Sequence, residues 1–222
     1  MTFWKPSPIW QDQPCYIVGG GPSLKTFPWD VLRGLPVIGC NATCYLSPEL
    51  VPWTVFGDAS FLDNHRAALE TYVGKGGQVV TNSSHFRKKP NVPPWLKVMS
   101  KLHHGLGYNQ LGWNGNTGAS AINLALLMGA NLVYLLGFDM SLSSSGQANY
   151  HNAYNHKVNP KAYPRFQKGM GYVVSDMAKM FPGARVINLE DGTSKLTTFP
   201  KESLRGHAFK VLVGSSEVND EW

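Results

Sequence analysis

The feature that most constrains the fold is a buried helix followed directly by a buried strand. The helix is predicted from "GNTGASAINLALLMGA", which has a polar start and a continuous apolar body, and the strand from "NLVYLLGFD". A strand that is apolar on both faces is typical of the centre of a parallel sheet, because helices cover both sides of such a sheet. This pair therefore predicts an α/β protein.

Other predicted strands and helices alternate along the chain. The strands are in "CYIVGGGPSL", "PVIGCNATCYL", "PWTVFGDASFL", "GGQVVTNSS", "LKVMSKL" and "ARVINLED", and the helices are in "NHRAALETYV" and "YPRFQKGMGYVVSDMAKMF". Such alternation predicts a mostly parallel sheet flanked by helices. We expect residues 1–222 to form a single domain with its core in about residues 15–196, and the weakly patterned stretch after Pro200 to be peripheral.

Length and composition are typical of a soluble globular protein. The 222 residues, 43% of them hydrophobic and 15% charged, suffice to bury a core. The longest apolar region, residues 121–138, contains the turn "MGAN", which argues against a membrane span. The start "MTFWKPSPIW" lacks the apolar core of a signal peptide. Three cysteines argue against a disulfide framework, so a reducing cytoplasm is expected.

The formal net charge of +6 favours an anionic partner. A nucleotide, a nucleic acid and a phosphorylated sugar all fit this charge, which does not choose among them.

Small and polar residues follow several of the predicted strands. Because ligands of open parallel sheets bind at the carboxyl ends of the strands, such residues predict a crevice for a polar ligand. The alternative is that they serve only as turn residues. They are Gly19, Gly20, Gly21, Asn41, Asp58, Asn82, Ser83 and Asp139.

The sharpest local motif is "VGGGPSL". Its glycines permit a tight turn and a close approach to a ligand, and their amides and the Ser23 hydroxyl could face a phosphate. Pro22 suits the first turn of a following helix. The motif is neither the G-x-G-x-x-G fingerprint nor a P-loop. A purely structural turn is the alternative.

The buried helix opens with "GNTGAS". Asn116 or Thr117 is expected to be its N-cap, and a helix start next to Gly118 is a natural anion site, although capping alone also explains the residues. Asp139, at the end of the following strand, could hold a ribose hydroxyl or cap its own loop.

Two histidines, His151 and His156, lie in a loop rich in tyrosine and asparagine. Histidine titrates near neutral pH and suits general base catalysis. No carboxylate occurs between Gly146 and Arg165 to complete a metal site. No metal site is therefore predicted.

Taken in order, "IVGGGPSL", Asn41, "GNTGASAINLALLMGANLVYLLGFDMS" and the histidine loop resemble one superfamily. It joins the bacterial sialyltransferase-like enzymes of glycosyltransferase family 42 with 6-hydroxymethylpterin diphosphokinase-like proteins and with proteins of tailed phages and prophages. The phage-type members look most similar, through "VYLLGFDM", an H-rich loop and "PRF". The resemblance covers most of Cys15 to about Leu196.

The resemblance to family 42 implies a Rossmann-like fold that binds a cytidine nucleotide sugar and requires no further cofactor. It implies nucleotide contacts at positions that match the motifs of the family, and a histidine as catalytic base, with His156 the first candidate and His151 the second. The matching nucleotide positions are Gly19, Gly21, Pro22, Ser23, Asn41, Thr117, Gly118 and Asp139.

The chain departs from the family pattern near the donor. Gly20 stands where these enzymes usually have asparagine, and Met140 and Ser141 stand near the place of an aromatic residue that helps to hold phosphate. Tyr150 or Tyr154 could replace that aromatic residue. The arginine that commonly precedes the helix start in the family is also missing. Nucleotide binding is compatible with these departures, whereas a sialic acid donor is not indicated.

Three functions remain open from the sequence. The first is a glycosyltransferase that uses a nucleotide-activated sugar, with an acceptor such as a hydroxymethylated base of phage DNA and a location in the host bacterial cytoplasm. The second is a diphosphokinase that needs ATP and Mg²⁺, for which Asp58 and Asp139 are the available strand-end acids. The third is a non-catalytic, nucleotide-binding phage accessory protein. Self-association through an apolar surface is compatible with each of them.

Overall fold

A computed structural model of the protein describes residues 2–87, 91–154 and 159–216. The strands in this part of the chain are β1 (Pro14–Val18), β2 (Val37–Cys40), β3 (Trp53–Phe56), β4 (Gln78–Thr81), β5 (Leu96–Val98), β6 (Ser100–Leu102), β7 (Gln110–Gly112), β8 (Leu132–Leu136), β9 (Arg185–Leu189) and β10 (Lys201–Glu202). The α-helices are α1 (Ala59–Gly74), α2 (Thr117–Leu127), α3 (Tyr163–Met180) and α4 (Leu204–Ser216). Short 3-10 helices occupy Pro22–Thr26, Trp29–Leu32, Asn41–Tyr45, Ser84–Arg87 and Pro160–Ala162.

The larger sheet of the described residues is parallel throughout, in the order β10-β9-β8-β1-β2-β3-β4-β5. Val18 of β1 is in register with Gly39 of β2 and with Leu136 of β8, so these strands end at the same edge. The predicted α/β fold, a mostly parallel sheet flanked by helices, is confirmed.

The strand order places a topological switch point between β1 and β8. After β1 the chain adds β2 to β5 on one side, and later adds β8, β9 and β10 on the other side. In open α/β sheets, ligands bind in the crevice outside the carboxyl ends of the strands at such a point. The fold therefore directs attention to the segments that follow β1 and β8.

Helix α2 is buried along most of its length, from Gly118 to Leu126. The one amide side chain within that stretch, Asn123, is fully buried, and both of its polar atoms are hydrogen-bonded. Its Oδ1 accepts hydrogen bonds from the amides of Gly107 and Gly112, and its Nδ2 donates to the Gly107 carbonyl. Asn123 therefore ties the segment around β7 to the core without an unsatisfied polar group.

Two parts of the chain differ from the sequence prediction. The stretch "LKVMSKL" forms two strands in different sheets, because the chain leaves the main sheet after Met99 and β6 pairs with β7. The stretch after Pro200 was expected to be peripheral. It instead adds β10 to the sheet edge and forms α4, where Leu204 and Ala208 are buried in a core cluster with residues of β1 and β9.

The cysteines lie in the core as free thiols: Cys15 on β1, Cys40 at the end of β2, and Cys44 in the 3-10 helix that follows. Burial raises the pKa of Cys40 and Cys44 to about 12, so both thiols are neutral at physiological pH. All three cysteines therefore serve as small, buried side chains of the core. Among the described helices, none is both long enough and apolar enough to cross a membrane.

Candidate functional site at the β1–β8 switch point

The glycine turn after β1 is fixed to the end of β8. The Gly19 amide donates to the Leu136 carbonyl and the Gly21 amide to the Gly137 carbonyl, both at 2.8 Å. The sequence suggested that these amides face a phosphate, but both are committed to protein acceptors. The Gly20 amide differs, because it has no acceptor among the residues that the structure describes.

Close packing explains why side chains are absent from this turn. A Cβ on Gly19 would lie 2.7 Å from the Gly137 carbonyl oxygen, and one on Gly21 would lie 2.5 Å from the same atom. The Phe138 ring packs against Gly19 on one side and against Gly118 of α2 on the other. The turn and the start of α2 therefore flank a single aromatic ring.

Ser23 is held by Asp139 across the switch point. The Ser23 amide donates to Asp139 Oδ2 at 2.8 Å and the Ser23 hydroxyl donates to Oδ1 at 2.7 Å. Pro22 begins the 3-10 helix that contains Ser23. The Ser23 hydroxyl, predicted to face a phosphate, and the Asp139 carboxylate, considered for a ribose hydroxyl, thus bond to each other. Burial raises the pKa of Asp139, while its hydrogen bonds with Ser23 act in the opposite direction.

The start of α2 and the end of β2 lie together. Asn116 is the N-cap, and its Oδ1 accepts from the Gly118 amide at 2.8 Å. The Thr117 hydroxyl donates to Asn41 Oδ1 at 3.4 Å. Asn41 adopts a left-handed backbone conformation, with φ of 54°, which asparagine tolerates better than most residues. The predicted contacts Asn41, Thr117 and Gly118 are therefore neighbours.

Arg165 of α3 lies at the same helix start. Its Cγ and Cδ are 3.7 Å from the position that a Cβ on Gly115 would occupy. Arg165 is exposed, and it forms no ion pair with an acid in the described part of the chain. A cation thus stands near the α2 N-terminus, although the sequence between Trp113 and Thr117 contains none.

Two predicted strand-end residues lie elsewhere or serve the fold. Asp58 precedes α1, is exposed, and makes no capping hydrogen bond through its side chain. Burial lowers the pKa of Lys101, and the charge of Asp58 acts in the opposite direction. The Lys101 ammonium lies 4.4 Å from the centroid of the Trp113 ring. The buried Asn82 donates to the Leu111 carbonyl and to the Ser120 hydroxyl, which are structural contacts.

The loop after β8 folds back over the glycine turn. The Tyr150 amide donates to the Gly20 carbonyl at 3.0 Å. The position of a Cβ on Gly20 would be 2.8 Å from Asn149 Oδ1 and 3.8 Å from His151 Nε2. His151 therefore lies beside the switch point. The first candidate base, His156, lies outside the described residues.

The two candidate tyrosines of the loop flank His151. Tyr150 packs on Trp29 and on His151, with ring centroids 5.1 and 4.8 Å apart, and its pKa is raised mainly by burial. The Tyr154 ring lies 5.0 Å from His151. Hydrogen bonds link Tyr154 to the Ala42 backbone and the Asn41 side chain, and burial, the largest effect, raises its pKa to about 12. Both phenols are therefore neutral hydrogen-bonding groups near neutral pH.

Sequence reasoning missed His65, which joins this group from α1. Its backbone leaves helical geometry, with φ of −126° and ψ of 19°, and its ring lies 4.4 Å from Phe61 and 6.1 Å from Tyr154. The Tyr45 hydroxyl and His65 Nδ1 are 3.0 Å apart. Burial lowers the pKa of His151, and the charge of His65 lowers it further. The available signal was a histidine early in the helix that follows a polar strand end.

No family model matches this chain, and no curated protein matches it in sequence. Solved structures do match. The sialyltransferase CstII from Campylobacter jejuni, in complex with the substrate analogue cytidine-5'-monophosphate (CMP), is 14% identical with a TM-score of 0.56, over 87% of this chain and 86% of that one. The α-2,3-sialyltransferase Cst-I from the same organism is 16% identical with a TM-score of 0.56, over 86% and 80% of the two chains.

A third match is the MAf glycosyltransferase from Magnetospirillum magneticum AMB-1, 15% identical with a TM-score of 0.59. It covers 96% of this chain, which spans only 39% of that larger protein. At these identities the similarity concerns the fold alone. The chain has the Rossmann-like α/β fold that these glycosyltransferase structures share.

Proposed function

We propose that this protein is a glycosyltransferase that takes its sugar from a nucleotide-activated donor. The observation that carries the proposal is the loop of His151, which lies over the glycine turn at the β1–β8 switch point. The same fold occurs in a sialyltransferase in complex with CMP. A loop that covers a switch-point crevice is well placed to enclose a nucleotide.

The nucleotide is proposed to lie along the carboxyl edge of β1, β2 and β8. Gly20 offers an unpaired amide, and Asn41 and Thr117 offer polar side chains at the start of α2. Arg165 and the helix N-terminus add positive potential for the phosphate. The net charge of +6 assists the approach of such an anion.

The proposed reaction is a substitution at the sugar carbon. A bond forms between that carbon and the acceptor oxygen, while the bond to the phosphate oxygen breaks and its electron pair leaves with the nucleotide. The proton of the acceptor hydroxyl passes to a histidine, for which His156 is the first candidate and His151 the second. Nothing in this scheme requires a metal. The acceptor, DNA included, remains a prediction from the sequence.

The described residues offer a diphosphokinase no preformed metal site, since they contain no group of three or more acidic, histidine or cysteine side chains that could hold a metal. One or two carboxylates together with the substrate phosphates would be enough to hold Mg²⁺. Of the two acids considered for this role, Asp139 gives both oxygens to Ser23. The proposal therefore stays with sugar transfer.

The test is a thermal-shift screen against CMP, CDP, UDP and ATP and against CMP- and UDP-sugars, each with Mg²⁺ and with a chelator. A ligand that binds only the folded state raises Tm by mass action. We expect a cytidine or uridine nucleotide sugar to raise Tm in the presence of the chelator. A shift with ATP that requires Mg²⁺ would favour the diphosphokinase, and no shift with any ligand would favour the non-catalytic alternative.

A further inference from the structure

The hydrogen bond of His151 to its own loop determines which ring nitrogen carries the proton. The Ala153 amide donates to His151 Nδ1 at 3.2 Å. A nitrogen that accepts a hydrogen bond carries no proton, so a neutral His151 ring must be protonated at Nε2. In this state Nε2 donates a hydrogen bond and is unable to accept a proton.

The Nε2–H of His151 lies near Gly20, whose amide is a second unused donor among the described residues. Nε2 lies 3.8 Å from the position that a Cβ on Gly20 would occupy. The Gly20 amide has no acceptor within the described ranges, whereas the amides of Gly19 and Gly21 are both bonded. The bond from the Tyr150 amide to the Gly20 carbonyl fixes the loop against the turn. His151 Nε2 thus lies close to Gly20, and neither its N–H nor the Gly20 amide has an acceptor among the residues that the structure describes.

The surroundings of His151 favour the neutral ring. Burial lowers its pKa, and the charge of His65 on α1 lowers it further. The other titratable groups that the structure places against the ring, Tyr150 and Tyr154, are neutral phenols with raised pKa values. The glycine turn brings no ionisable side chain to it. An acid that would favour the imidazolium is therefore missing from these contacts.

We propose that His151 Nε2–H and the Gly20 amide together bind an oxygen of the donor phosphate, and that His151 is a hydrogen-bond donor and not the catalytic base. The proposal rests on the proposed function and assigns a role within the same site. When the sugar–phosphate bond breaks, its electron pair stays on the phosphate and His151 keeps its proton. Donors placed where charge develops stabilise the transition state.

Substitutions of His151 separate a donor from a base. The glutamine amide nitrogen takes the place of Nε2, so His151→Gln retains a donor, whereas His151→Phe retains the ring shape without one. Calorimetry with CMP and with cytidine, which lacks the phosphate, measures the contribution of that group. We expect His151→Phe to lower the affinity for CMP about 10-fold and that for cytidine less than about 2-fold. His151→Gln should bind CMP almost as tightly as the parent.

The opposite results are distinct. If His151 is the base, both variants bind CMP like the parent and both lose transfer activity, which overturns the proposal. If the ring is only structural, His151→Phe weakens CMP and cytidine equally, or lowers Tm without a selective loss, and the proposal also fails.

A spectroscopic test does not depend on the nucleotide. In ¹⁵N-labelled protein at pH 7, imidazole nitrogen shifts report the tautomer, with His151→Gln providing the assignment. We expect the Nε2–H form, and a downfield shift of that proton when inorganic phosphate is added. If CMP does not bind but this response appears, the phosphate position stands and the proposed function fails. The Nδ1–H form, or no response to phosphate, overturns the inference.

Discussion

The Asp139 carboxylate at the end of β8 accepts two hydrogen bonds from Ser23, a residue 116 positions earlier in the chain. One comes from the Ser23 amide at 2.8 Å and the other from its hydroxyl at 2.7 Å. Asp139 is only 3% exposed and Ser23 is half-buried, so the pair is a largely buried connection between the segments that follow β1 and β8. It fixes the glycine turn on which the rest of the site is assembled.

Removal of either partner should destabilise the protein. Ser23→Ala removes one hydrogen bond, so its free energy of unfolding should fall by about 1 kcal/mol. Asp139→Asn replaces an acceptor by a donor, so its free energy of unfolding should fall by about 1–3 kcal/mol. Urea denaturation of the two single variants and the double variant measures the coupling between them. A coupling free energy near zero would show that the two residues stabilise the fold independently.

Asp139 should also contribute to the pH dependence of stability. Burial raises its folded-state pKa above the ordinary value, so the folded state takes up a proton more readily than the unfolded state. Its contribution is therefore most favourable below the unfolded pKa of about 4 and is lost as pH rises through the folded pKa. Urea denaturation between pH 4 and 7 should show the parent losing stability relative to Asp139→Asn. If the stability difference between the parent and Asp139→Asn is the same at every pH, the pKa of Asp139 is not raised.

The sequence predicts well where the cause of a structure is local. The apolar body of α2 and the apolar faces of β8 are dictated by burial, and both elements occur where expected. The Ser23–Asp139 pair is different, because nothing in either motif indicates that two predicted ligand contacts satisfy each other. Long-range hydrogen bonds of this kind depend on register and on the strand order, which periodicity does not contain.

The dependence on long-range packing also explains which parts of the fold and site the sequence does not predict. His65 enters the site through a non-helical residue within α1, and a hydrophobic pattern does not predict such a break. The two residues of β10 are too few to show a strand period, so the stretch from Lys201 looked peripheral. The position of Arg165 beside Gly115 follows from the packing of α3 near the start of α2 and not from any motif.

The substitution Gly20→Ala should weaken nucleotide binding more than it destabilises the fold. A Cβ there would lie 2.8 Å from Asn149 Oδ1, an atom at the end of a side chain that can move, so we expect less than about 1 kcal/mol of destabilisation. Because the loop is displaced, the affinity for a nucleotide should fall about 10-fold, which calorimetry with CMP measures. Gly171→Ala is the control, since a Cβ there meets no atom within 4 Å and alanine favours the helix. If the Gly20 variant and Gly171→Ala bind CMP with equal affinity, the nucleotide lies elsewhere.

His65 should influence the titration of His151. Its charge is the second cause of the low pKa of His151, after burial. The variant His65→Phe keeps an aromatic ring against Phe61 and removes the charge, so the pKa of His151 should rise but stay below its ordinary value. NMR titration of the imidazole signals measures it. His103→Phe, at an exposed histidine, should leave the value unchanged. A fall in the pKa of His151 in the His65 variant would contradict the arrangement.

The attachment of α4 should weaken in mild acid. The Tyr16 hydroxyl and His207 Nε2 are 2.9 Å apart, and the Tyr134 ring lies 4.3 Å from the His207 ring. Burial is the largest cause of the lowered pKa of His207, so the folded state favours the neutral ring. The stabilisation is complete above the unfolded pKa of about 6.5 and is lost as pH falls through the folded pKa.

Hydrogen exchange of the α4 amides, corrected for the intrinsic effect of pH, should therefore show less protection at pH 5 than at pH 7.5. His207→Phe removes the titrating group, so its protection should depend much less on pH. Amides of α2, which has no histidine, serve as the internal reference. If α2 and α4 lose protection equally, the acid effect is global and does not originate at His207.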